Sequence, residues 1–283
     1  SHAKPTHHHL EGNSATSGNQ RDSQPGNSSG TSRVVMTASP NLIDIKGLAH
    51  KYADGTPSLR GLDLQIAAGE SVAILGPNGA GKSSLFLCLA GLVSFEASKF
   101  QVGEIDGLRK ENRRLLASRA ALLFQDSDDQ LFCPTVLEDV AFGPRNHGAS
   151  IADANQSALE ALNFTGMLEK KDRPPHQLSG GEKRRVALAG LLAMNPDILL
   201  LDEPSQFLDH RNRRNLINLL KQNSHTKLIA THDLEMALEI CSRAVLISEG
   251  TVVGQGPIHE LLGNQSLLAS LGMEQPHSLA PRS

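Results

Sequence analysis

The sequence predicts an α/β protein with a mostly parallel sheet, and three stretches carry that prediction. Ser71-Val72-Ala73-Ile74-Leu75 is a short apolar run that reads as a buried strand, leading into Gly76-Pro77-Asn78-Gly79-Ala80-Gly81-Lys82-Ser83. Beyond it, Ser84 to Leu92 is apolar on all sides and reads as a buried helix. Ile198-Leu199-Leu200-Leu201 and Leu228-Ile229-Ala230-Thr231 are apolar runs suited to parallel strands covered on both faces. Each ends in polar residues, Asp202-Glu203 and His232-Asp233, at the strand edge where open α/β sheets place their ligands.

The whole chain narrows the choice of function. Its 283 residues, 39% hydrophobic and 20% charged, suit a globular protein of one or two domains with a substantial core. A formal net charge of -3 gives no basic field for nucleic acid. Cys88, Cys133 and Cys241 are scattered and form no Cys-x-x-Cys pair, which argues against a disulfide framework or a zinc site and fits a reducing compartment. No apolar stretch reaches the ~18 residues needed to span a bilayer. Any membrane role therefore runs through a partner.

Taken in order, residues 1–40 read as a disordered leader or tag, being rich in Ser, Gly, Asn, Gln and His up to Arg33. His7-His8-His9 is either a tag remnant or a metal-sequestering tract, and Met36 is a plausible natural start. Leu42, Ile43 and Ile45 form a short strand. Leu62 to Ile66 alternates apolar and polar, the pattern of a half-exposed strand. Between them lies turn-rich Tyr52 to Pro57. Tyr52 is the only tyrosine in the chain, and it reads equally as packing or as a ring that stacks on a nucleobase.

The Gly-rich turn from Gly76 to Ser83 lets consecutive backbone N–H groups point at a phosphate chain, and the helix N-terminus adds partial positive charge there. Lys82 can reach β- and γ-phosphates, and the Ser83 hydroxyl can bind the Mg²⁺ they carry. Leu122-Leu123-Phe124 is a further strand, followed by Gln125, which is either a surface amide or a reach to a bound ion or water. Pro134 to Gln177 reads as helical. Thr135 caps a first turn that Gly143-Pro144 should end, and Ile151 to Phe164 forms an amphipathic helix.

Leu178-Ser179-Gly180-Gly181-Glu182 carries a capping box, Ser179 with Glu182, so a helix starts here and runs to about Met194. The box does not explain two adjacent glycines in a first turn. Close approach of an anion would. Asp202 fits a Mg²⁺-associated role and Glu203 a base that polarises water, while His232 at the same edge is a candidate γ-phosphate contact. Ala244 to Ile247 and Thr251 to Val253 are two more strands, and Ile258 to Leu271 is helical.

Together these stretches resemble the nucleotide-binding subunit of ABC transporters over about Leu42 to Leu262. The resemblance implies a P-loop ATPase core of mostly parallel sheet, an N-terminal antiparallel β subdomain and a helical subdomain. The ATP-binding domain would span 41–265, with helices at about 127–177 and a tail at 266–283. Gly76, Pro77, Asn78, Gly79, Ala80, Gly81, Lys82, Ser83 and Ser84 match its phosphate loop and helix start, Gln125 its Q-loop, and Leu178 to Glu182 its signature motif. Ile198 to Glu203 matches its Walker B strand with catalytic glutamate, Ser205 to Asp209 its D-loop, His232 its switch histidine and Tyr52 its adenine-stacking aromatic.

The resemblance implies ATP and Mg²⁺ as cofactors, the ion held by Ser83, Gln125 and Asp202, with Glu203, His232 and Gln125 catalytic. It implies a head-to-tail dimer in which Ser179, Gly180 and Gly181 of one chain face the nucleotide of the other. Further partners are an integral membrane coupling subunit and a substrate-binding membrane subunit, which hold the chain at the cytoplasmic face of the cell membrane. Phe124 to Phe132, Glu138 to Pro144 and Gly181 to Ala187 are similar to the energy-coupling factor (ECF) subgroup, and within it to the ATPase of cobalt or nickel importers. Vitamin importers such as those for biotin, and non-transport ATPases of the same type, are the alternatives. The D-loop departs from the family in Gln206 and Phe207, where small residues are usual, and in His210, where proline is common.

Overall fold

The structure is a computed structural model that describes residues 41–125 and 130–280. The expectations for residues 1–40, and for the part of the ECF-like stretch at 126–129, lie outside the described residues. The described chain belongs to one unit, Ser39–Ser283.

Strand β1, Asn41–Lys51, pairs antiparallel with β2, Pro57–Ala67. β1 is far longer than its three-residue apolar seed, because register shifts beyond Ile45 carry the pairing on to Lys51. In β2 the alternation holds: Leu62, Leu64 and Ile66 are buried and their neighbours face out. Strand β3, Ser71–Leu75, leads to helix α1, Lys82–Leu89. That helix stops short of Leu92, which is 54% exposed, because Gly91 takes a φ of +69° and breaks the helical run. Strands β4, Lys99–Val102, and β5, Ile105–Asp106, complete a four-stranded antiparallel sheet in the order β2-β1-β4-β5.

Helix α2, Arg113–Arg119, precedes β6, Ala120–Leu123; then come α3, Val136–Asn146, α4, Ile151–Phe164, and α5, Gly180–Ala193. β7, Ile198–Asp202, α6, His210–Gln222, β8, Thr226–Ala230, α7, Leu234–Ile240, β9, Arg243–Ser248, and β10, Thr251–Pro257, follow. The second sheet has six strands in the order β10-β9-β3-β8-β7-β6, parallel throughout except for β10. Helices α8, Ile258–Gly263, and α9, Gln265–Ser270, replace the single helix expected there. Asn264 divides them, its side chain accepting the N–H of Leu267 to cap the second.

One core lies between α1 and the two sheets, around Ile74, Leu85, Phe86 and Phe100. A second, on the other face of the parallel sheet, gathers Leu75, Leu188, Leu199, Leu201 and Ile217. A third unites α3, α4 and one face of α5 through Val140, Ala158, Leu162, Val186 and Ala189. Thr135 caps α3 as expected, accepting from Glu138 N–H at 3.2 Å, but the helix does not end at Gly143-Pro144. It continues to Asn146 with Pro144 buried inside it. A proline removes one N–H near the end, where few bonds remain to lose, and Gly143 admits Met194: a Cβ there would meet its sulfur at 2.6 Å. Among the described residues no helix is long and apolar enough to cross a membrane.

Candidate active site

The loop between β3 and α1 is set by close backbone approach. A Cβ on Gly76, whose φ is +149°, would lie 2.0 Å from the Ile247 carbonyl oxygen. One on Gly81, at φ +105°, would lie 2.5 Å from the Ser58 oxygen. Gly79 has open space around it, so it is required only for its left-handed φ of +78°. Lys82, which follows Gly81, is 8% exposed, and its Nζ donates to the carbonyls of Gly76 at 2.8 Å and Pro77 at 3.0 Å. Burial lowers the Lys82 pKa, against the opposing pull of Glu203 and Asp202. Ser83 is exposed.

A cleft of about 560 Å³ opens over this loop. It brings together Tyr52, Asn78 to Ser84, Gln125, Asp202, Glu203 and His232 from five separate stretches of chain. Gly76 and Pro77 do not line it and act from beneath, through Lys82. Half-exposed Tyr52 stands at the cleft with its hydroxyl 3.0 Å from that of buried Ser84, so the Ser84 side chain anchors the ring.

Asp202 ends β7, and Glu203 follows with a φ of +44°, a strained conformation for a residue with a side chain. Its N–H donates to Ala230 at 2.8 Å. Carboxylate Oε2 accepts from His232 N–H at 3.2 Å and from the Thr231 hydroxyl at 3.3 Å. Oε1 is buried and has no hydrogen-bond partner. His232 Nε2 stands 3.5 Å from it and donates instead to Asn78 Oδ1 at 2.9 Å. A buried carboxylate oxygen left unsatisfied at a polar cleft is suited to accept from a water or a ligand.

The oxygen donors Ser83, Gln125 and Asp202 share the cleft. Hard oxygen ligands suit Mg²⁺, which is commonly held by one or two carboxylates together with substrate phosphates. Among the described residues no cluster of three or more His, Cys, Asp or Glu could hold a metal by itself.

Ser179, Gly180 and Gly181 do not line this cleft. The capping box forms as expected, with Ser179 N–H donating to Glu182 Oε2 at 2.9 Å. The two glycines differ in what surrounds them within the chain. A Cβ on Gly181 would lie 2.6 Å from Cγ of Asn212, so packing within the chain explains it. Around Gly180 nothing lies within 4 Å. Lys170 bonds Glu182, and together with the Ser179 N–H it draws the carboxyl down to a pKa of about 2.

Ser205, Gln206 and Asp233 also line the cleft; the sequence placed the first two in the D-loop and Asp233 at a strand edge without assigning them to the site, and it gave no role to Arg184 behind it. Arg184 is 3% exposed and sends Nε to Pro204 O at 3.0 Å, Nη1 to Phe124 O at 2.6 Å and Nη2 to Glu203 O at 2.6 Å. A signal existed: Gly181, Arg184, Leu188 and Leu191 form one buried stripe of α5, and a charge on such a stripe must find partners.

Known proteins agree with this geometry. The family model described as ABC transporter matches residues 59–206. A putative ABC transporter ATP-binding protein of Geobacter sulfurreducens is 44% identical over 244 residues, covering 85% of this chain and 96% of that protein. The energy-coupling factor transporter ATP-binding protein EcfA of Methanothermobacter thermautotrophicus is 39% identical over 241 residues, 84% of this chain and 78% of that one. Among solved structures, CbiO1 of Clostridium perfringens, described as part of the ABC transporter complex CbiONQ, superposes with a TM-score of 0.71 at 34% identity, over 82% of this chain and 94% of that one. An ATP-binding cassette solved as a dimer in a post-hydrolysis state with ADP and Pi gives 0.68 at 27% identity, over 77% and 99%. The phosphate loop, the acidic strand end facing it and these relatives lead to one conclusion: the chain belongs to the ATP-hydrolysing subunits of ABC transporters, of the energy-coupling factor type.

Proposed function

We propose that the chain powers uptake of a transition-metal ion, cobalt or nickel, as the ATPase of an ECF importer. The reading rests on the CbiO-like stretches of the sequence and is supported by the likeness to CbiO1, described as part of the CbiONQ complex. Two ATPase subunits would pair head to tail at the cytoplasmic face of the membrane. An integral coupling subunit and a substrate-binding membrane subunit would complete the assembly. The dimeric relative supports the pairing, and so does the exposed, open surround of Gly180.

In this reading the loop N–H groups and Lys82 bind the β- and γ-phosphates of ATP, and Tyr52 stacks on the adenine. Ser83, Gln125 and Asp202 would hold Mg²⁺, which supplies positive charge to the phosphates. Glu203 orients the attacking water and takes its proton at the free Oε1, while His232, tethered to Asn78, orients the γ-phosphate. Ser179, Gly180 and Gly181 of the partner subunit present a second helix N-terminus to the same phosphate. Closure then depends on ATP, and hydrolysis removes the phosphate that joins the halves, so binding and release drive a two-state motion.

Glu203→Gln tests the site. Loss of a general base costs about 10²–10⁴-fold in rate, so this variant should bind ATP, accumulate as a dimer and barely turn over. Near-normal hydrolysis would remove Glu203 from its role. For the cargo, the complex purified from native membranes should transport cobalt or nickel in vesicles. Uptake of a vitamin and of neither metal would reject the metal assignment.

A further inference from the structure

We infer that Arg184 is a positioning residue of the hydrolytic site, holding the Glu203 peptide and the chain just ahead of Gln125 in register with the start of α5. The inference rests on the catalytic reading of Glu203 given above. Three carbonyls converge on one guanidinium: Phe124 O and Glu203 O at 2.6 Å and Pro204 O at 3.0 Å. They come from two segments, the end of β6 and the end of β7, and these supply Gln125 and Glu203 to the cleft.

The geometry at Glu203 shows what the contact does. Its left-handed φ of +44° is not one a glutamate adopts unaided, and such residues persist only where their surroundings over-determine them. The N–H is held by Ala230 O at 2.8 Å within the sheet. Its carbonyl accepts from Gln206 N–H at 3.1 Å, one turn along the same loop, and from Arg184 Nη2 at 2.6 Å. Arg184 is thus the contact that reaches the Glu203 carbonyl from outside its own loop. It lies on α5, whose first turn carries Ser179 and Gly180, so one helix bears the partner-facing motif and fixes the direction of the Glu203 carboxylate. Lysine could not replace it. The fork offers five N–H donors at fixed angles and spans carbonyls from two segments, whereas an ammonium is a single point on a flexible stem.

Arg184→Lys and Arg184→Met, in the chain assembled with its membrane partners, test this. Arg184→Lys keeps the charge and the helix. It should lower kcat by about 10²-fold, the scale of a small misplacement of catalytic groups. ATP affinity of the resting enzyme should stay within about threefold, because Lys82 is held by the loop's own carbonyls, Gly76 O and Pro77 O. Arg184→Met should lose as much or more. Wild-type kcat in Arg184→Lys would overturn the inference. So would a fall in kcat matched by an equal loss of ATP affinity or of folded protein, because that is the pattern of a scaffold residue. Glu203→Gln run alongside separates the two failures: full activity there refutes the catalytic reading itself, while an inactive Glu203→Gln beside an active Arg184→Lys refutes only the positioning role.

Discussion

Replacing Phe207 with glycine should make the isolated chain more stable, although it deletes a large apolar side chain. Phe207 is 89% exposed, so its removal forfeits almost no burial. Its φ is +60°, in the left-handed region. For a residue with a β-carbon that conformation costs about 1–2 kcal/mol. Glycine removes this cost but gives the unfolded chain more freedom, worth roughly 0.5–1 kcal/mol. At the middle of these ranges the net gain is about 0.75 kcal/mol, which in a domain of this size raises the melting temperature by roughly 1.5–3 °C. Calorimetry of the nucleotide-free chain measures it. Phe207→Ala is the control, since alanine keeps the β-carbon and the strain and should melt close to wild type. A lower melting temperature for Phe207→Gly, or an equal rise for both variants, would refute the backbone argument.

Two further predictions concern the start of α5. Gly181→Ala should destabilise the fold by about 1–3 kcal/mol, because its methyl group would press on Asn212, which is tied to Arg185 and Asp209. Gly180→Ala, in open space, should leave the melting temperature of the isolated chain unchanged or slightly raised; any impairment should appear only in ATP-dependent association. The Lys170 bond and the Ser179 N–H depress Glu182 from 4.5 to about 2, so its contribution is complete above the unfolded value and is lost as pH falls toward 2. The difference in melting temperature between wild type and Glu182→Gln should therefore be constant near neutral pH and shrink below pH 4.5; a constant difference down to pH 3 would refute it.

Much of the site was legible because it sits where local chemistry punctuates the chain. Glycines before Lys82, acids after a four-residue apolar run and a capping box each announce themselves within a few residues. Strand and helix limits were less legible wherever a distant group decides them. β1 runs on past Ile45 because β2 lies beside it, and α3 passes through Pro144 because Met194 fills the space above Gly143. The packing demand at Gly181 was not legible for the same reason: its partner, Asn212, is far along the chain. The positive φ at Glu203 and Phe207 leaves no trace in residue type at all, since neither is a residue that favours it.

Helix α5 shows how these pieces become one device. One side of it belongs to the core shared with α3 and α4, through Val186 and Ala189; another, through Ala187, Leu188 and Leu191, belongs to the core under the parallel sheet. A close-packed interior transmits displacement rather than absorbing it. A shift of α3 and α4 against the sheet must therefore pass through α5, and with it through the Arg184 fork on Phe124, Glu203 and Pro204. The same shift moves the exposed turn at Ser179 and Gly180 at the end of the same rod. Gln125 and Glu203, on two different strand ends, consequently cannot be moved relative to the α5 N-terminus without breaking charge-assisted hydrogen bonds, which are about twice as strong as neutral ones. On the positioning role inferred for Arg184, a motion reaching α3 and α4 from outside would be passed to the Glu203 backbone, which carries the cleft-facing carboxylate.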